Sequence, residues 1–251
     1  MTDTQVSRFT GKTVIVTGAG SGIGRSTAER IVAEGGFVVA SDLIEARLDA
    51  VREELGDQVV TVAGDISDPQ VIARVVDAAG ENVYGLVNNV GIMDGFLPTA
   101  EIDDATWDRV IAVNLTSMMK LTRAVLPTMI AAGAGSIVNV SSEAGLRGSA
   151  AGTAYTTSKH AVNGFTKSTA FFYTPKGVRC NAVAPGAVAT NIEAPFRSEW
   201  AAERLGPLMQ VTVPPVAQPH ELAAAITWLL SPDSSNVSGI VLADDGGWSA
   251  V

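Results

Sequence analysis

The sequence predicts an α/β fold: a doubly wound parallel sheet of about seven strands, with helices on both faces. Three observations predict it. Short, nearly continuous apolar runs alternate with longer helical patterns along the chain, a glycine-rich turn follows the first run, and no linker or repeat interrupts the series. Strands covered on both faces of a parallel sheet read as unbroken apolar runs. Parallel neighbours also need a crossover, which a helix supplies with right-handed sense.

The strand candidates are "KTVIVT" (12–17), "FVVAS" (37–41), "VVTVA" (59–63), "YGLVNN" (84–89), "SIVNVS" (136–141), "VRCNAV" (178–183) and "GIVLA" (239–243). Helical patterns lie between them. Residues 23–34 set Ile23, Ala28, Ile31 and Val32 along one side, and 69–80 open with Ser67, Asp68 and Pro69, a capping run with proline in the first turn. Residues 103–131 form the longest candidate, with apolar faces from Trp107, Val110, Ile111, Ala124 and Val125. Residues 152–174 and 219–230 are the last two. The stretch 186–218, with Pro195, Pro207, Pro214 and Pro215, reads as an irregular loop. A loop of that length inside a compact domain is usually functional, here a substrate lid. One domain is expected across residues 1–251.

A net charge of −9 in 251 residues argues against a nucleic-acid backbone or an anionic membrane surface as partner. The single cysteine, Cys180, sits in an apolar run and reads as a small buried side chain. With only His160 and His220 besides, no metal site is expected. The opening "MTDTQVSRFTGK" has no apolar leader pattern, and no apolar run approaches a membrane span, so a cytoplasmic protein is expected.

The chemistry begins at "VIVTGAGSGIGRS", with glycines at 18, 20, 22 and 24. After a strand, such glycines let the backbone turn sharply and approach a pyrophosphate at the following helix N-terminus. The register is Gly18, Gly22 and Gly24, with Ser21 and Ile23 between them. Asp42 closes the second strand 18 residues after Gly24, placed to accept hydrogen bonds from adenosine ribose hydroxyls and to repel a 2′-phosphate. The alternative is a helix N-cap. Neither Ser21 nor Leu43 is basic, although Arg25 and Arg47 are nearby, so NAD is expected in preference to NADP.

Further motifs follow in order: "GDI" (64–66), "NNVG" (88–91), Asn114, "SS" (141–142), "YTTSK" (155–159), "NAVAPGAVAT" (181–190) and "DDGGW" (244–248). Together with "TGAGSGIG" they span essentially the whole chain, which resembles the short-chain dehydrogenase/reductase family in its single-domain, Rossmann-type form. The one visible departure is Val90, where that family usually has alanine. The resemblance implies that Asp65 and Ile66 border the adenine, that Asn89 and Gly91 line the strand edge beside the cofactor, and that Pro185, Gly186, Val188 and Thr190 hold the carboxamide end. It also implies a tetrad of Asn114, Ser142, Tyr155 and Lys159, with Asn114 holding a water that links Lys159 to solvent. Ser142 is chosen over Ser141 because it lies 13 residues before Tyr155. A homotetramer built on the long helices is implied in the same way.

Tyr155 and Lys159 are four residues apart, so both project from one helix face. A cation about 4 Å from a phenol, at an effective dielectric near 20, supplies about 4 kcal/mol, enough to lower its pKa by about three units. An oxidised nicotinamide adds to this, so Lys159 and the cofactor would make Tyr155 a base near neutrality. The expected reaction is hydride transfer between NAD(H) and a secondary alcohol or ketone. A 3-oxoacyl carrier-protein reductase is the alternative enzyme, and a non-catalytic NAD-binding sensor is the alternative of another class. The substrate pocket is expected from Met93, Asp94 and Phe96, from residues 143–147, and from Ile192, Phe196, Trp200, Leu205, Leu208 and Met209. That lining implies a medium or bulky apolar substrate. Glu143 faces either substrate or solvent.

Overall fold

Strand β1 (Thr13–Thr17) turns Val14 and Val16 into one core and Ile15 into the other. Successive side chains of a strand point to opposite faces, so a run buried on both faces must be apolar throughout. The computed structural model describes residues 7–192 and 194–250. Residues 1–6, the start of the stretch without a leader pattern, lie outside these.

The other strands are β2 (Phe37–Asp42), β3 (Val59–Ala63), β4 (Val83–Asn88), β5 (Gly135–Val140), β6 (Val178–Pro185) and β7 (Val241–Asp244). They form one sheet in the order β3-β2-β1-β4-β5-β6-β7, and every pairing is parallel. The helices are α1 (Gly22–Ala33), α2 (Glu45–Leu55), α3 (Pro69–Ala79), α4 (Asp104–Ile111), α5 (Ser117–Ala132), α6 (Thr153–Tyr173), α7 (Glu199–Thr212) and α8 (Pro219–Leu230). One core joins Val14, Val38 and Val87 to Ile31, Leu48 and Ile226 of α1, α2 and α8. The other joins Ile15, Val39 and Leu86 to Val75, Val125 and Ala170 of α3, α5 and α6. Cys180 is fully buried in this second core, and burial pushes its thiol up to about 12, so it is chemically quiet.

Four elements differ from the sequence reading. The stretch 186–218 is not irregular throughout, because it contains α7. Only Ala201 is buried in that helix, so the apolar stripe that reveals a helix is missing, and Pro207 obscures it further. The signal that was present is Ser198, whose side chain accepts a hydrogen bond from the Ala201 amide and caps the helix. The helix α2 also went unread; it buries only Leu48 and Val51 in a charged surround. The 103–131 segment is divided by a π turn at Ala112–Thr116, an irregularity often found at functional sites. β7 begins at Val241 rather than 239, because Gly239 has a φ of +86° that no extended strand adopts.

The strand order reverses between β1 and β4. In open parallel sheets the crevice at such a switch point, beyond the carboxyl ends of the strands, is where ligands bind.

Candidate active site

The turn after β1 closes that crevice from one side. Gly18 and Gly22 have φ of +64° and +54°, which favour glycine. Gly24 is glycine for another reason: a Cβ there would lie 2.2 Å from the Gly18 carbonyl oxygen. A Cβ on Gly20 would lie 2.8 Å from the Asp42 carboxylate, which accepts the Gly20 and Ile44 amides, each at 3.0 Å. Asp42 therefore shapes the turn as well as standing at the cleft edge. The N-cap of α2 is Ile44 and not Asp42.

The cleft has a volume of about 320 Å³, and all the expected cofactor and catalytic residues line it except Gly24 and Asn114. Gly24 is packed beneath the turn. Asn114 sits in the π turn, 2% exposed, accepting from the Ile92 amide at 2.8 Å and donating to the Ile92 carbonyl and the Ser158 hydroxyl. Its side chain braces the strand edge beside Gly91. The cleft also holds Arg109, which the sequence reading did not select. Arg109 pairs with Asp65 at 2.7 Å and donates to Ser67. Desolvation raises the Asp65 carboxyl, but the hydrogen bonds from Ser67 and Arg109 outweigh it and hold it below its ordinary value. No short sequence pattern links residues so far apart in the chain.

Tyr155 and Lys159 are buried, 8% and 2% exposed. The Lys159 ammonium donates to the Val140 carbonyl at 2.9 Å and lies 5.4 Å from the Tyr155 ring centre. Burial pushes Lys159 down to about 8. Burial also pushes the phenol up to about 12, helped by Asp94 and opposed by the Ser142 hydroxyl. The lysine alone therefore does not make a neutral-pH base of the tyrosine. Ser142 caps the Ala144 amide at 3.1 Å and lines the cleft, whereas the 2%-exposed Ser141 hydroxyl is spent on the Lys159 carbonyl.

Asp94 is not a substrate contact as expected. It is 1% exposed and accepts the Tyr155 and Phe96 amides at 2.9 and 3.0 Å. It supplies the N-terminal hydrogen bond that Gly152, at the N-cap of α6, cannot. Phe96 adopts a φ of +58° and stacks on Phe196 with ring centres 4.3 Å apart. Gly95 accepts the Arg197 amide, fastening this loop to the segment before α7. Met93 and Met209 pack with Tyr155, Ala144 and Trp248 in one apolar cluster. Trp200 and Leu205, expected in the same pocket, line a separate cavity.

Glu143 faces neither solvent nor open cleft. It is fully buried and paired with Arg147, and its second carboxylate oxygen has no partner among the described residues. Burial raises its carboxyl despite the hydrogen bond and charge of Arg147. The Arg147 guanidinium lies 5.4 Å from the Trp248 ring centre, and the indole donates to Thr212 at the end of α7. Removing one member of a buried pair leaves the other charge uncompensated. Arg147→Ala is therefore expected to cost about 3 kcal/mol of folding stability. The loss should shrink as pH falls and Glu143 takes up a proton, and urea melts across pH check it. A loss that stays the same at every pH would contradict this account of the pair.

A glycine turn at a sheet switch point, joined to a half-buried serine and a buried tyrosine and lysine, defines an oxidoreductase of the dinucleotide-binding class. Comparison with known proteins gives the same result. The family model described as short chain dehydrogenase matches residues 12–201, and the chain belongs to that family. It is 40% identical over 96% of its length to 3beta-hydroxysteroid dehydrogenase 2 of Eggerthella lenta, covering 95% of that protein. It is 37% identical over 97% of its length to cis-4-hydroxycyclohexanecarboxylate dehydrogenase of Sinomonas cyclohexanicum, covering 98% of it. Among solved structures, a levodione reductase superposes with a TM-score of 0.88 at 33% identity, over 97% of this chain and 100% of that one. The family and these relatives make the protein an oxidoreductase that transfers hydride on alcohols or ketones.

Proposed function

We propose that the protein interconverts ring-bearing secondary alcohols and their ketones with NAD(H) as the preferred cofactor. The observation that carries the reading is Tyr155, held at the floor of the cleft with Lys159 behind it and an apolar cluster of Met93, Ala144, Met209 and Trp248 beside it. The two named relatives support it, since both names specify a hydroxyl on an aliphatic ring system. The cofactor fits the residues present: Gly18, Ser21, Gly22 and Ile23 of the turn before α1 line the cleft, and Asp42 stands beside them as the ribose acceptor. When bound, the nicotinamide supplies the hydride acceptor and, oxidised, a positive charge near the phenol.

The chain's own residues do the rest. Tyr155 takes the hydroxyl proton during oxidation and returns it during reduction. The Ser142 hydroxyl holds the substrate oxygen. Lys159 stabilises the phenolate and stands beside Gly91, where it reaches the nicotinamide ribose. Asn114 keeps Gly91 and Ile92 in register with it. Gly18, Ser21, Gly22, Ile23 and Gly24 form the pyrophosphate turn; Asp65, Ile66 and Asn89 border the adenosine side, and Pro185, Gly186, Val188 and Thr190 the carboxamide side. We place all of this in one catalytic unit spanning the chain. Assembly as a cytoplasmic homotetramer through α6 is supported by Phe171 and Phe172, which are 77% and 63% exposed on that helix.

Turnover of cyclic alcohols, linear polyols and an acyl-carrier-protein thioester, each with NAD and NADP cofactors, tests the reading. Cyclic alcohols with NAD are expected to give the highest kcat/KM. A polyol or a thioester as the best substrate would overturn it.

A further inference from the structure

Helix α6 carries Tyr155 in its first turn, yet its N-cap is Gly152, which has no side chain to accept the open amides. The loop after β4 takes them instead. The Thr153 amide donates to the Leu97 carbonyl at 2.9 Å, and the Tyr155 amide to an Asp94 carboxylate oxygen at 2.9 Å. The amide of the third helical residue is one that a serine or aspartate at the N-cap ordinarily receives. Asp94 therefore caps the catalytic helix from a separate loop. Glycine at 152 is a condition of this arrangement, because a Cβ there would lie 2.5 Å from the Asp94 carboxylate.

Asp94 is 1% exposed and forms no ion pair among the described residues. Its other oxygen accepts the Phe96 amide at 3.0 Å. Two accepted amides and no basic partner leave its charge to be met by amide dipoles and the positive end of α6. Left alone, that helix end would favour a phenolate in the first turn, and a carboxylate lodged there opposes it. The other charges around the phenol are Lys159 on the same helix and the Glu143–Arg147 pair, which reaches the same apolar cluster through Trp248, with Asp245 near it. Arg197, alongside Gly95, is exposed. Burial raises the phenol most, and Asp94 raises it further. We infer that Asp94 is a positioning residue for the reaction, which fixes Tyr155 by its backbone amide and, by its charge, holds the tyrosine in its acid form to higher pH. The consequence is directional: ketone reduction persists to higher pH, and alcohol oxidation begins later on the pH scale. The inference rests on Tyr155 as the proton carrier proposed above.

The test measures the hydride step by stopped flow across pH, in both directions and with saturating cofactor. It compares the parent, Asp94→Asn, Asp94→Ala and the double variant Asp94→Ala/Gly152→Ser. Serine at 152 returns a local, uncharged acceptor for the Tyr155 amide, and the alanine makes room for it. The double variant is expected to melt above Asp94→Ala. Both it and Asp94→Asn should move the rise of oxidation to lower pH by about one unit, with reduction falling off about one unit earlier. The double variant carries the test where Asp94→Asn, which turns an amide donor towards a backbone N–H, is too unstable to measure. A double variant that melts no higher than Asp94→Ala would overturn the cap. A folded double variant with the parent's pH profile would overturn the role of the charge. Tyr155→Phe, run alongside, separates these failures from a failure of the mechanism, because only near-parent turnover there removes the tyrosine itself.

Discussion

Tyr155→Phe is expected to lower kcat for alcohol oxidation by about a thousandfold while leaving NAD(H) affinity within about twofold, the range a general base contributes. The size follows from the energetics of the phenol. Burial pushes it up to about 12, and bringing it to about 7 needs about 7 kcal/mol at 1.36 kcal/mol per unit. A single cation about 4 Å away supplies about 4 kcal/mol, and Lys159 is no closer than 5.4 Å to the ring centre. On the proposed mechanism lysine and oxidised nicotinamide act together, and Tyr155 is expected to be a competent base only with the cofactor in place. The sign of the pH dependence follows. Oxidation needs the phenolate, so its rate should rise with pH and flatten as Lys159 loses its proton near about 8; reduction needs the phenol and should weaken over the same range. Stopped-flow measurement of the hydride step in both directions checks this. An oxidation rate in Tyr155→Phe close to that of the parent would remove the tyrosine from the mechanism.

Asp42→Asn is expected to raise the kcat/KM ratio of NADP to NAD by about a hundredfold, with a stability loss of about 1 kcal/mol. The carboxylate and Arg47 both flank Gly20 and line the cleft. Removing the negative charge leaves Arg47 facing a 2′-phosphate, and a charge interaction of about 3 kcal/mol at this range corresponds to roughly a hundredfold. The amide keeps one oxygen to accept from Gly20 or Ile44 but not both, which sets the modest stability cost. Kinetics with both cofactors and a thermal melt measure the two effects separately. An unchanged cofactor ratio, or a parent enzyme already preferring NADP, would refute the assignment of Asp42 as the selector.

Much of the fold was legible because burial on both faces leaves a strong mark. All seven strands were placed within two residues of their observed starts, since strands such as β1, β5 and β6 are buried along almost their whole length. The cofactor turn was legible because glycine is required there by close approach as well as by φ, and those constraints act over a few adjacent residues. The helix α7 was not, because it rests on the protein by one buried residue, Ala201, and periodicity carries no signal without a buried stripe. Glu143 was open to two readings, and the structure gave a third: it pairs with its neighbour Arg147, and only folding brings Asp245 near it and Trp248 against that arginine.

The sequence by itself determined the class of fold, the dinucleotide turn and the pairing of Tyr155 with Lys159, because each depends on spacing within one strand, turn or helix. Only the tertiary structure decided how hard the phenol is to ionise, that Asp94 anchors the catalytic helix, and that Trp200 and Leu205 wall a cavity apart from the cleft. Those properties depend on burial and on contacts between distant segments. Desolvation and long-range contact are properties of packing, and no local pattern of residues encodes them.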